Sequence, residues 1–369
     1  MCNTRTEPEE TDQERTGVEN IPPEEFENHI RELAYGMDDN LFTMRKAGEW
    51  LEIASNRPIP KMLFGSLWFE SEICILFADT NVGKSILAVQ IGDSISKGEP
   101  INGFNLETEK QPVLYFDFEL TDKQFEVRYT APDGSHYQFN DVFYRAEINP
   151  DALETEMTFE EYLQMSVEEA IIHTNARVLI IDNITYLKNE NEKARDAMPL
   201  MKQLKALKSK YNLSILALAH TPKRDLGKPI TKNDLQGSKM LMNFCDSSFA
   251  LGESTQDKSQ RYLKQIKARN CQVVFDTENV GVFEIIKPGN YLHFNYTGTA
   301  NEYEHLKIQS NEEALEFETQ VFERMTENPD ISAYAIAKEL CPHPSKLKSY
   351  NVKVSRMMKK LKERMAADG

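Results

Sequence analysis

Short apolar runs, each closed by a polar residue, recur along the middle of the chain: residues 73–78 (ICILFA), 113–119 (VLYFDFE), 177–182 (RVLIID) and 213–221 (LSILALAHT). Runs of this length that show no polar alternation have the form of strands buried on both faces of a parallel sheet. Between them the spacing changes to that of helices. An apolar-periodic segment follows Gly83, a short helix is predicted over 121–128, and residues 194–211 carry Met198, Met201, Leu204 and Leu207 on one stripe. A further strand is expected around 142–145. Strand and helix in alternation predict an α/β core with a central, mostly parallel sheet.

The flanks read differently. Residues 1–22 are rich in Glu, Thr and Pro and almost without apolar side chains, and are expected to be a disordered acidic tail. Residues 23–59 predict short N-terminal helices, one with Phe26, Ile30, Leu33 and Ala34 on a face and one with Met44, Ala47, Trp50, Leu51 and Ile53. Within the core expected over 60–297, residues 261–286 predict two or three antiparallel strands and 291–295 a last one. A polar, acidic linker (298–313) leads to a helical domain, 314–369, with helices over 314–327, 332–340 (Ser332 as N-cap) and 348–365. Two helices, a turn with Pro342 and Pro344, and a longer basic helix resemble a helix-turn-helix, winged or plain.

Composition narrows this picture. The chain has 369 residues, 40% of them hydrophobic, enough for a large core and smaller satellites. No apolar stretch approaches a membrane span and the first residues are acidic, so a cytoplasmic protein without membrane contact is expected. The five cysteines are scattered without C-x-x-C spacing, which indicates neither a disulfide framework nor a zinc site. A formal net charge of −16 disfavours wholesale attraction to nucleic acid, so any such contact must be local.

Candidate chemistry gathers at the ends of the apolar runs. After the first comes Ala78-Asp79-Thr80-Asn81-Val82-Gly83-Lys84-Ser85-Ile86, a phosphate-binding loop in form, with Ala78 where G-x-x-x-x-G-K-[ST] has its first glycine. Alanine resists φ > 0, so a slightly altered loop is expected. Backbone N–H groups would cradle the phosphates of ATP, Lys84 reach the β- and γ-phosphates, and Ser85 sit on Mg²⁺. Asp79 must point outward from an anion. Asp117 and Glu119 close the second run; Glu119 either polarises the attacking water or caps the next helix. Asp182, at the end of the third, is the expected Mg²⁺ carboxylate, against a core strand that happens to end in Asp. His220 is either a γ-phosphate sensor or a structural residue.

Basic residues supply a second theme. The loop at 222–234 carries Lys223, Arg224, Lys228 and Lys232, suited to phosphate backbones or to an ordinary surface. Lys267 and Arg269 alternate on one strand face, as a finger offered to a neighbour or as charges that keep an edge strand from pairing. Between 346 and 364 stand eight Lys or Arg and one acid, Glu363. Lys353, Arg356 and Lys360 lie among them, read as a duplex-DNA contact or as the solvated back of a helix whose core stripe is Val352, Val354, Met357 and Leu361.

Together A-x-x-x-x-G-K-S, FDFE, VLIID, LALAHT and K-A-R-N resemble the RecA-like ATPases, in particular the plasmid RepA-type and DnaB-type hexameric helicases, over residues 60–297. The resemblance implies Glu119 as catalytic base, Asp182 as Walker B aspartate, His220 as sensor, Lys223 to Lys232 in a channel around single-stranded DNA, and Lys267 and Arg269 as fingers acting across subunits. This chain lacks an obvious arginine in residues 240–251, where the RepA branch places its finger. The implied function is an oligomeric Mg²⁺-dependent ATPase, a hexamer by the resemblance, driving a DNA motor or helicase in replication or mobilisation. The alternatives are an ATP-switched DNA-binding regulator, a RecA/RadA-type recombination ATPase and, less favoured, a P-loop small-molecule kinase.

Overall fold

A computed structural model describes residues 42–149, 159–184, 197–235, 238–307, 311–341 and 347–367. The tail, the helix at Phe26 to Ala34 and the turn with Pro342 and Pro344 lie outside the described residues. The chain divides into two compact units, one ending at Ile59 and one starting at Pro60. The first contributes helix α1 (Ala47–Ser55), none of whose residues is buried; Leu51 is 72% exposed. No described helix is long and apolar enough to cross a membrane.

The second unit is built on a nine-stranded sheet. Its strands are β3 (Ile73–Ala78), β4 (Val113–Asp117), β5 (Phe143–Ala146), β6 (Val178–Asp182), β7 (Ser214–His220), β8 (Ser247–Glu253), β9 (Gln260–Lys267), β10 (Val280–Ile286) and β11 (His293–Ala300); β1 (Met62–Phe64) and β2 (Trp68–Phe69) form a separate hairpin. The order across the sheet is β11-β10-β9-β8-β3-β7-β6-β4-β5. The six strands from β8 to β5 are parallel, and β9, β10 and β11 continue antiparallel.

The absence of polar alternation in the central runs now has its cause. On β3, Ile73, Ile75 and Phe77 enter one core while Cys74, Leu76 and Ala78 enter another on the opposite face; β4, β6 and β7 divide in the same way. The first core is covered by α4 (Phe159–Thr174), α5 (Ala197–Tyr211) and α6 (Ser238–Phe244), the second by α2 (Lys84–Lys97) and the β10–β11 ribbon; α3 (Asp122–Arg128) follows β4. Met201, Leu204 and Leu207 of the expected α5 stripe are buried, whereas Met198, the second residue of the helix, is 38% exposed.

Three expectations need correction. β9 stops at Lys267, so Arg269 lies beyond the strand whose alternation was to align the pair. β11 runs to Ala300 and a 3₁₀ turn, Glu302–His305, follows with Glu302 and His305 buried, so the stretch read as the start of a linker is ordered and packed. In the C-terminal helices α7 (Asn311–Glu327), α8 (Ala333–Leu340) and α9 (Leu347–Ala367), the buried stripe of α9 is Val354, Met358 and Leu361. Val352 is 48% exposed, because two residues along a helix turn a side chain to the opposite side. These helices share a core of their own with Phe317, Val321 and Ile336, and Ser332 caps α8 by accepting from Ala335 N at 3.1 Å.

Candidate functional site

Parallel strands deliver their C-terminal ends to one rim, and the order β3-β7-β6-β4 makes the phosphate loop after β3 a neighbour of the three polar ends His220, Asp182 and Asp117. Register pairs Ala78 with His220 and Asp117 with Asp182. The loop after β3 takes its left-handed positions at Asn81 (φ 64°) and Gly83 (φ 106°), with Ala78 still in strand conformation and buried. The missing first glycine therefore imposes nothing on the backbone. Gly83 is a real requirement: a Cβ there would lie 2.9 Å from Phe294 and 3.0 Å from Ile285. Asp79 and Thr80 are exposed, and Asp79 turns its Oδ1 onto Thr80 N at 2.8 Å; Val82 is buried, and Ser85 and Ile86 are half-buried.

Lys84 opens α2 and is 6% exposed. Its Nζ donates to Ala78 O (3.1 Å) and Asp79 O (3.0 Å) and meets His220 Nδ1 at 3.2 Å. An ammonium has three hydrogens and no acceptor, so Nδ1 is the nitrogen that faces a donor. His220 Nε2 lies 3.2 Å from Glu119 Oε1 and 2.8 Å from Asn183 Nδ2, and Asn183 Nδ2 donates to the same Glu119 oxygen at 2.6 Å. Lys84, His220, Glu119 and Asn183 thus form one hydrogen-bonded chain. Burial lowers the Lys84 pKa, against the pull of Asp182, Glu119 and Asp79. The His220 hydrogen bond, followed by that of Asn183, overcomes desolvation and lowers Glu119 to about 2.

The capping reading of Glu119 is answered by geometry. Thr121 caps α3, accepting from Gln124 N, while Asp117 accepts from Leu120 N (2.9 Å) and pairs with Arg145 (2.9 Å). Asp117 is a buried structural group, and Glu119, two residues on, is left to face the loop.

Asp182 is fully buried. Tyr115 Oη donates to its Oδ2 at 2.8 Å, and Oδ1 has no hydrogen-bond partner among the described residues. Burial raises its pKa to about 6, opposed by the Ser85 and Tyr115 hydroxyls; Ser85 stands near without hydrogen-bond geometry to Oδ1. An orphaned carboxylate oxygen beside a serine hydroxyl fits Mg²⁺, which takes one or two protein oxygens and fills the rest of its shell from phosphates and water. Among the described residues no group of three or more His, Cys, Asp or Glu comes together, so an all-protein metal site is not offered there.

The remaining candidates are placed elsewhere. Lys223 and Lys232 are exposed, and Lys228 is exposed beside Asp225 at 3.5 Å. Arg224 is turned inward, donating to Tyr262 Oη (3.1 Å) and Lys228 O (3.2 Å), because the loop folds back onto β9. Lys267 caps the end of α6 through Met242 O (2.5 Å) and Cys245 O (2.7 Å), and Arg269 pairs with Asp246 at 2.8 Å. Both stand at the opposite strand ends from the phosphate loop of their own chain. On α9, Lys353 lies over the Phe317 ring (3.9 Å) and Lys360 reaches Glu318 (3.3 Å), while Arg356 is exposed. Asn183, Tyr115 and Arg261, the last donating to Val82 O at 3.1 Å, were missed. Only Asn183 left a signal, as a second polar residue closing the third run.

Comparison with known proteins fits this rim. A search of curated proteins found no match. Among solved structures, a KaiC-like protein of the hyperthermophilic archaeon Pyrococcus horikoshii OT3 aligns with a TM-score of 0.41 and 15% identity, covering 62% of this chain and 91% of that one. Residues 43–225, which carry the phosphate loop, Glu119, Asp182 and His220, match a family model described as an AAA domain.

Proposed function

We propose that this chain is a Mg²⁺-dependent ATPase that acts on DNA as a ring-forming motor. The hydrogen-bonded chain from Lys84 through His220 to Glu119 carries the reading, because it links a phosphate-seeking cation to a water-seeking carboxylate through an imidazole. Bound Mg²⁺ offsets phosphate charge during transfer, and Ser85 and Asp182 would hold it. Lys84 exchanges its loop carbonyls for phosphate oxygens. His220, released from Lys84, reports on the γ-phosphate and shifts its hold on Glu119. A carboxylate held near pKa 2 accepts protons weakly, so Glu119 orients the water rather than deprotonating it early. That suits phosphoryl transfer through a loose transition state.

The expected results are specific. Lys84→Ala abolishes tight ATP binding; Glu119→Gln binds ATP and fails to cleave it. The ATPase rate per subunit rises with protein concentration and with single-stranded DNA, since a finger supplied by a neighbour is worth about 10³ to 10⁵ in the best-characterised cases. A rate flat in both sinks the motor. The separate core and basic face of α7, α8 and α9 support a second reading, an ATP-switched duplex-DNA binder. In that case nucleotide alters duplex affinity while the rate stays flat.

A further inference from the structure

We infer that Arg261 is a positioning residue for the phosphate loop, holding Gly83 N–H toward the bound phosphates from outside the P-loop motif; the inference rests on the nucleotide-binding reading of that loop. Arg261 is the second residue of β9, opposite Glu253 of β8, and β8 pairs with β3 so that Leu251 lies beside Ala78. It therefore reaches the same end of the sheet as the loop, 179 residues away in sequence.

The guanidinium is fixed on all sides. Nε donates to Val82 O at 3.1 Å, one terminal nitrogen to Lys258 O (2.8 Å) and Gln260 O (2.9 Å), and the other pairs with Glu253 Oε1 at 3.2 Å; the side chain is 12% exposed. Val82 O belongs to the peptide whose N–H is that of Gly83. In a trans peptide the C=O and N–H point in opposite directions. Anchoring Val82 O toward β9 therefore turns Gly83 N–H away from β9, into the concavity at the start of α2, where N–H groups cradle phosphates. Phe294 and Ile285 of the β10–β11 ribbon occupy the space that a Cβ at Gly83 would need, so the antiparallel extension of the sheet both shapes the loop and aims it.

A loop donor fixed before binding serves the bound nucleotide and the transition state alike, which predicts a change in affinity rather than in turnover. Titrating the full chain with MgATP and MgADP, together with steady-state kinetics, tests this. Arg261→Ala should weaken ATP and ADP in parallel, by roughly tenfold or more as for a lost charged hydrogen bond, and raise KM with kcat within about twofold. Arg261→Lys, which keeps one donor, should recover part of the loss. Glu253→Ala, at a half-exposed position that threatens the fold less, should shift both affinities the same way by a smaller factor. Unchanged ADP affinity in Arg261→Ala, or a fall in kcat at constant KM, overturns the assignment. Failure of the unaltered protein to bind either nucleotide overturns instead the reading beneath it.

Discussion

At the scale of single residues, Asp182 shows how the site is held at the expense of the fold. Its carboxyl is raised from 3.8 to about 6 by burial. Between those values the folded chain keeps a proton that the unfolded chain has released, so this group's contribution to stability falls as pH rises through the window and is lowest above it. A shift of about two units corresponds to roughly 3 kcal/mol. Asp182→Asn removes the penalty while keeping an acceptor for Tyr115. It is expected to stabilise the nucleotide-free protein at pH 8 by about 1–3 kcal/mol in urea unfolding, with the gain shrinking toward pH 4, and to abolish Mg²⁺-dependent nucleotide binding. Destabilisation at pH 8 would mean that the carboxylate is better paired than its orphaned oxygen shows. Asp182, Glu119 and His220 were legible in the sequence because each closes an apolar run, and parallel strands bring such ends together. Arg261 was not, since its contact depends on a register that no local pattern encodes.

At the scale of elements, the loop after His220 is the instructive case. Its composition suggested either a phosphate-contacting segment or ordinary surface charge, and Lys223, Lys228 and Lys232 are exposed. Its far end is clamped. Glu302 accepts from Ile230 N at 2.6 Å and pairs with Lys264 at 2.6 Å, and Lys264 also donates to Ile230 O (2.9 Å) and Thr277 Oγ1 (2.7 Å). Lys307 N donates to Leu226 O at 3.0 Å, tying the segment before the C-terminal helices to the same loop. Lys264 is 8% exposed and Glu302 fully buried, so removing one partner strands the other. Glu302→Ala is expected to cost about 3–5 kcal/mol in urea unfolding, and Lys264→Met with Glu302→Leu far less. Equal losses in the two would show that packing, not charge, holds the loop. Central strands and helices could be read from periodicity because burial on both faces leaves a continuous apolar run. The clamp could not, because Lys264 and Glu302 are 38 residues apart and each looks like surface charge until the chain is folded.

At the scale of the whole molecule, Lys267 and Arg269 lie away from the phosphate loop of their own chain. β8 runs from Ser248, beside Lys267, to Leu251, beside Ala78, so the pair and the phosphate loop are separated by roughly 10 Å of strand or more. Any service to a γ-phosphate is therefore to a neighbour's. Lys267 is committed to the end of α6, whereas Arg269 is 49% exposed and held, among the described residues, by Asp246 and Asn243 O, which makes Arg269 the group to test. Assembly is not legible in one chain's periodicity, because a contact between copies uses surface that the monomer leaves polar. It is legible in complementation. Lys84→Ala keeps a good finger beside a dead site, and Arg269→Ala keeps a good site beside a dead finger. Each alone is expected to hydrolyse ATP at a few per cent of the normal rate or less. Mixed in equal amounts and allowed to exchange subunits, they should restore about one interface in four, since a head-to-tail ring joins an intact site to an intact finger at that frequency. Recovery to about a quarter of normal activity places Arg269 in the neighbour's site. A mixture no more active than its parts confines Arg269 to its pairing with Asp246.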